Sequence, residues 1–211
     1  MIFLFGERTH SQSGAAGEQL CGVCGKRQPF SHVIETNYFC LFGMRLLPIE
    51  RTADYLRCDQ CNNSFLVDQL EEPTQVAVVK RILVYIQLGY GMQEHGDLLQ
   101  DICVKVTGFE FKESEIEREM REIGSGRVDI FELLKSLTSG LNLKAKQQII
   151  ETAFLITHAC CEIQYEDRLR INLVGNALGI PIEFVTSIIN QVHSQGCYGV
   201  RRLLSTQTKA T

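Results

Sequence analysis

The chain has 211 residues, 45% of them hydrophobic and 22% charged, enough to bury a core in one medium domain or two small ones. Its formal net charge of −4 divides into six basic against nine acidic residues over 1–72 and fifteen against sixteen over the rest, so neither half has the cationic excess that a polyanion partner attracts. Met1 to Phe5 is apolar but Gly6, Glu7 and Arg8 follow at once, and the longest apolar helical stretch, Val76 to Tyr90, is broken by Lys80 and Arg81, short of the roughly 20 residues that span a bilayer; a soluble, cytoplasmic protein is expected.

From the N-terminus, aromatic and branched residues at Met1 to Phe5, Thr36 to Phe42, Met44 to Ile49 and Tyr55 to Arg57 predict strands, punctuated by Gly6, Gly43 and Pro48. Glu71, Glu72 and Pro73 interrupt this texture, and behind them the period becomes helical. Val76, Val79, Leu83 and Ile86 predict a first helix ending at Gly89 and Gly91, and Leu98 to Val106 a second, closed by Gly108. Ser114 with Glu117 reads as a capping box for a third helix that stops at Gly124 to Gly126. Its acids, Glu113 to Glu122, read as a solvated face.

Val128 to Leu137 predicts a fourth helix ending at Gly140. Lys144 to about Ile163 is apolar on more than one stripe, which predicts a central helix. Arg168 to Leu178 follows with Gly179 as its cap, then a last helix with Pro181 at its first position and Ile182 to Val192 behind it. The expected fold class is thus a small β zinc ribbon over residues 1–72, an all-α bundle of seven helices over 73–204, and a flexible tail over 205–211.

The ribbon expectation comes from the cysteines. Cys21-Gly-Val-Cys24-Gly and Cys58-Asp-Gln-Cys61-Asn are two knuckles, in which a two-residue gap turns both thiolates of a pair toward one ion and a small or turn-forming residue follows. Together they make a four-thiolate cage, suited to one structural Zn2+ per chain and closed to substrate. A disulfide framework fits poorly with nine cysteines, an odd count, and Cys40, Cys103, Cys160, Cys161 and Cys197 are expected to be inert packing.

Met1-Ile-Phe-Leu-Phe-Gly6, the two knuckles and the run Tyr38-Phe-Cys-Leu-Phe-Gly-Met-Arg-Leu-Leu-Pro-Ile49 together resemble a family of short bacterial-type zinc ribbons. Such ribbons open with an apolar strand and carry an F-x-x-P-L-x-P-like segment between the cysteine pairs, here shortened to Leu46-Leu-Pro-Ile49. That resemblance implies zinc ligands and a fold, with no activity. Ala153-Phe-Leu-Ile-Thr-His-Ala-Cys-Cys-Glu-Ile-Gln-Tyr-Glu-Asp167, followed by Asn176-Ala-Leu-Gly-Ile180, resembles the tellurite-resistance protein B (TerB-like) fold, which implies an all-α, metal-binding or stress- or defence-associated module. The acidic pair of that family is kept as Glu166 and Asp167, while Cys160 and Cys161 stand where its Asp-Gly would align.

His158 and Glu162, four apart, with Glu166 form a candidate second metal site; the competing reading makes Glu166 and Asp167 first-turn acids favoured by the helix dipole and His158 a core residue. No phosphate-cradling glycine loop or nucleophile elbow is present. Three functions are therefore expected in order: a non-enzymatic protein-protein interaction module, acting on a protein partner or by self-association; a nucleic-acid-binding ribbon using Lys26, Arg27, Arg51 and Arg57; and a metal-dependent enzyme or sensor using His158, Glu162 and Glu166. For the first, the strands between Thr36 and Ile49 are the expected docking surface, because large side chains occupy both of their faces.

Overall fold

The computed structural model describes residues 5–41, 44–67, 70, 72–91 and 96–194. The first four residues of the expected strand Met1 to Phe5, the tail over 205–211 and Cys197 lie outside the described residues. By its internal contacts the chain separates into two units: residues 1–74 with 139–142, and residues 75–138 with 143–211.

The first unit is a four-stranded antiparallel meander, β1 (Phe5–Cys21), β2 (Lys26–Leu41), β3 (Met44–Cys58) and β4 (Ser64–Phe65), in that spatial order. The strands are far longer than the sequence suggests: the 16 residues of β2, at about 3.3 Å each, run about 50 Å. β1 pairs with β2 from Cys21 opposite Lys26 to Phe5 opposite Leu41, with a bulge between Ala15 and Gly17. β3 returns along β2 from Leu41 opposite Met44 to Cys58 opposite Phe30, with three further register shifts at Glu35/Thr36, Asn37/Tyr38 and Phe39/Cys40.

The core of this unit is gathered at one end. Phe30, Leu56 and Phe65 bury themselves there with Cys21 and Cys58, and Ala16 and Leu70 pack against them. Phe30 and Phe65 meet edge to face with centroids 5.5 Å apart, a geometry aromatic pairs favour. At the opposite end β3 is uncovered: Met44 and Leu47 are 63% and 66% exposed, and Leu46 and Ile49 are exposed with them. The large side chains that the sequence places on both faces of this segment are thus not buried by the unit itself at Met44, Leu46, Leu47 and Ile49.

The second unit contains seven α-helices among the described residues: α1 (Thr74–Gly89), α2 (Gly96–Thr107), α3 (Glu113–Gly124), α4 (Ile130–Leu137), α5 (Leu143–Cys160), α6 (Tyr165–Ala177) and α7 (Ile182–Ser194). As expected, α5 is central: Ile149, Ile150 and every residue from Thr152 to Thr157 are buried, and it packs on α2, α6 and α7. Among the described residues no single helix is long and apolar enough to cross a membrane.

Three boundaries differ from the sequence reading. α3 begins before Ser114, with Lys112 as its N-cap, and the carboxylate of Glu115 rather than Glu117 closes the turn by accepting from the Lys112 backbone N–H at 3.0 Å. α6 begins at Tyr165, with Asp167 accepting from the backbone N–H of Gln164 at 2.9 Å. Pro181 precedes the first helical residue of α7, its carbonyl accepting from Phe184 and Val185. The cap after α6 is as expected: Gly179 takes φ +65°, and the bonds Ile180 N–H to Gly175 O and Gly179 N–H to Asn176 O close a Schellman motif.

The solvated face expected for α3 is also corrected. Glu119 is only 5% exposed and accepts from Arg81 of α1 at 3.1 Å, while Glu115 accepts from Lys80 at 3.1 Å. Lys80 is itself buried, its ammonium 5.4 Å from the centre of the Phe111 ring. The two cations that interrupt α1 in sequence are thus the groups that fasten α3 to it.

Candidate metal centre

Each cysteine pair sits at a hairpin turn. Cys21 ends β1, residues 22–25 make the turn, and the Gly25 N–H donates back to the Cys21 carbonyl at 2.9 Å. Cys58 ends β3, and the Asn62 N–H donates back to the Cys58 carbonyl at the same 2.9 Å. In both turns the residue after the second cysteine lies in the left-handed region, Gly25 at φ +65° and Asn62 at φ +56°. Glycine enters that region freely and asparagine is among the few other residues that tolerate it, so the two knuckles share one backbone solution. The first also shows the Cys24 N–H directed at the Cys21 sulfur, 3.4 Å away.

Strand register joins the knuckles. Cys58 lies opposite Phe30 on β2, and the Asp59 N–H donates to the Pro29 carbonyl at 3.0 Å. The second knuckle is thereby held beside the start of β2, where the first one ends. β4 secures it from the other side through Arg57 opposite Ser64, and the Cys58 N–H donates to Asn63 O at 3.0 Å. Residues 139–142 complete the support, with the Asn142 side-chain amide donating to Asn62 O at 3.2 Å.

The four sulfurs of Cys21, Cys24, Cys58 and Cys61 all lie within 4.8 Å of one another. Cys21 and Cys61 are 3.7 Å apart and Cys24 and Cys58 4.0 Å. A tetrahedral ion with metal–sulfur bonds of about 2.3 Å requires sulfurs about 3.8 Å apart, so the donor set fits one such ion. Cys21 and Cys58 are fully buried and Cys24 and Cys61 half-buried, over the Phe30–Phe65 pair.

Without a cation these sulfurs are poor neighbours. Burial, with hydrogen bonds that the thiol donates to Cys21 and Cys61, pushes the Cys24 thiol up to about 12, and burial also raises Cys58. Cys61 moves the other way: burial opposes ionisation, but hydrogen bonds from Asn63, Cys58 and Cys21 together outweigh it and hold the thiol below its ordinary value. A bound dication replaces this conflict with four thiolates, and proton release accompanies its binding. Four protein ligands leave no open coordination position for substrate.

No family model, curated protein or solved structure matches the chain. The resemblances carried by the knuckles and by Ala153 to Ile180 therefore rest on those residues alone.

The second set of candidate ligands is not brought together. Among the described residues the four cysteines are the metal-capable group of three or more side chains. His158 lies half-buried in the last turn of α5, beside Phe154; Glu162 is exposed in the following connection, and Glu166 is exposed in the first turn of α6. The neighbouring Asp167 is buried instead. It accepts hydrogen bonds from the Tyr90 hydroxyl and the Gln164 backbone, and the Cys161 thiol lies 3.5 Å away. The Tyr90 hydroxyl, foremost, holds the Asp167 carboxyl below the usual carboxylate range, while burial raises both Cys161 and Cys160, the latter to about 11.

Sequence spacing offered no sign of this Tyr90–Asp167 contact, which spans 77 positions. Of the other cysteines, Cys40 and Cys103 are buried and Cys160 and Cys161 half-buried, all unbridged. The basic residues considered for nucleic acid are dispersed in role: Lys26 and Arg27 are exposed at the start of β2, Arg57 is half-buried, and Arg51 donates to Asp54 at 2.7 Å.

Proposed function

We propose that this protein is a non-enzymatic interaction module whose first unit is a zinc ribbon, stapled by one structural Zn2+ on Cys21, Cys24, Cys58 and Cys61. The observation that carries the reading is the convergence of four sulfurs within 4.8 Å of one another from two knuckles that share the same turn hydrogen bond and left-handed residue. An all-thiolate donor set selects a borderline-soft ion, and zinc brings no redox chemistry for the protein to manage. Four thiolates also suit a reducing compartment, which agrees with a cytoplasmic protein.

The interaction role draws on the uncovered end of β3. Met44, Leu46, Leu47 and Ile49 expose large apolar side chains close together, and apolar surface of this kind commonly marks an interface. The partner is a protein, in the form of another chain or a second copy. The TerB-like reading of the helical unit goes with this proposal as a fold, without an activity.

Elemental analysis of the purified chain tests the core of the proposal: one zinc per polypeptide is expected, lost in Cys58→Ser. Iron in place of zinc, or a folded ribbon without metal, would overturn it. Leu46→Glu separates the two claims, since it should abolish partner capture or self-association while zinc content stays at one.

A further inference from the structure

The helical unit contains a cavity of about 450 Å3 between α5, α6 and α7, lined by residues of all three helices. That volume falls within the range of small-ligand sites, which combine an apolar lining with a few convergent polar groups. Its floor is apolar, with Phe154 and Ile171 buried and Ile189 half-buried. The imidazoles of His158 and His193 flank Phe154, their ring centres 5.9 and 5.0 Å from its own.

The rim has a different character. Glu162, in the connection after α5, and Arg168, on α6, are both exposed and both line the cavity. Among the described residues neither charged side chain has an ion-pair or hydrogen-bond partner, and they do not pair with each other. The amide side chains of Asn172 and Asn190 line the same space, likewise without a protein partner among the described residues. A purely apolar occupant would leave all four polar groups unused. A simple anion would sit beside the Glu162 carboxylate, and a simple cation beside the Arg168 guanidinium.

We infer that this cavity binds a small zwitterion with a large apolar body, the chemistry of a free amino acid with an aromatic or branched side chain. The apolar body lies on Phe154, Ile171 and Ile189. The ammonium group faces Glu162, the carboxylate faces Arg168, and the two asparagine amides bond the head group. The sequence gives this site little advertisement, because its parts come from three helices with no shared motif.

The test uses the full chain and three probes that differ only at the head: L-phenylalanine, 3-phenylpropionate and phenethylamine. Isothermal titration should show saturable binding of L-phenylalanine, tighter than either single-charge analogue. Arg168→Ala should reduce L-phenylalanine to the level of phenethylamine and Glu162→Gln to that of 3-phenylpropionate, each by up to about fivefold, the upper range of an exposed ion pair. Both positions are exposed, so neither substitution disturbs the core. Thr186→Trp, at an exposed lining position, should fill the cavity and abolish binding with helical circular dichroism unchanged. Absence of saturable L-phenylalanine binding, equal affinity for all three probes, or an affinity unmoved by both charge substitutions would overturn the assignment.

Discussion

Asp167 shows how little a residue's type says about its work until its neighbours are known. Two adjacent acids open α6, yet Glu166 is exposed while Asp167 is buried and accepts from the Tyr90 hydroxyl. The Arg170 guanidinium lies over the ring of the same tyrosine, 5.0 Å from its centre. Tyr90→Phe removes the donor and should cost about 1.5–3 kcal/mol at pH 7, the range for hydrogen bonds to charged groups. The pH dependence has a definite sign. A carboxyl whose pKa is depressed on folding contributes stability above its unfolded value of about 4, and loses it as the pH falls through the folded value. Denaturant unfolding of wild type and Tyr90→Phe should therefore differ at pH 7 and converge on acidification. A gap that stayed constant down to pH 2 would show that packing, and not the charged hydrogen bond, sets the difference.

Among the elements, α1 and α3 were legible as helices but not as a pair. Apolar periodicity marks each helix, since it follows from burial of one face, whereas the Lys80–Glu115 and Arg81–Glu119 bonds join positions 35 and 38 residues apart that no local pattern links. Lys80 has a side chain only 6% exposed against 28% for Glu115, so the two halves of the bond are not equivalent. Glu115→Ala takes one charged acceptor away from a buried ammonium and should cost about 1.5–3 kcal/mol; Lys80→Met with Glu115→Ala should recover part of that by replacing the charge with an apolar chain. Chemical denaturation of the single and double variants checks this, and equal losses in the two would refute it. The strands were harder to read. Residues 6–19 of β1 are polar and glycine-rich with no apolar alternation, so nothing in the sequence distinguishes them from a loop, and they are strand because β2 offers a continuous backbone to pair with. The cysteine pairs, by contrast, were fully legible: ligand spacing is a local property, and Gly25 and Asn62 signal the turns directly.

In the molecule as a whole, stability has two sources. The helical unit buries most of α1 and of α5 beyond its first turn, whereas the first unit gathers its core residues around the cysteines and leaves the end of β3 in solvent. The contribution of the proposed structural zinc, roughly 10–16 kcal/mol apparent in small domains at neutral pH, would far exceed what so small a core supplies. Chelation at mildly acidic pH should thus abolish the near-ultraviolet signal of Phe30, Tyr55 and Phe65 while far-ultraviolet helicity and its cooperative melt persist. Simultaneous loss of both signals would mean that the helical unit depends on the metal as well.

The register of β2 against β3 has a consequence for how this chain tolerates changes in length. Only the last few rungs, from Phe30 opposite Cys58 to Lys26 opposite Cys21, set the positions of the four sulfurs. Beyond them the ribbon is a stalk, already carrying three register shifts between β2 and β3 that the cage does not feel. Residues removed in matched sets, one from each of β1, β2 and β3 near Thr9, Asn37 and Glu50, would shorten the stalk and leave every cysteine where it is. A single residue inserted between Lys26 and Phe30 would turn the following side chains to the opposite face and misplace the second knuckle. Insertions and deletions should therefore collect at the far end of the ribbon, whose length is free to drift, while the spacing from Cys21 to Phe30 stays fixed.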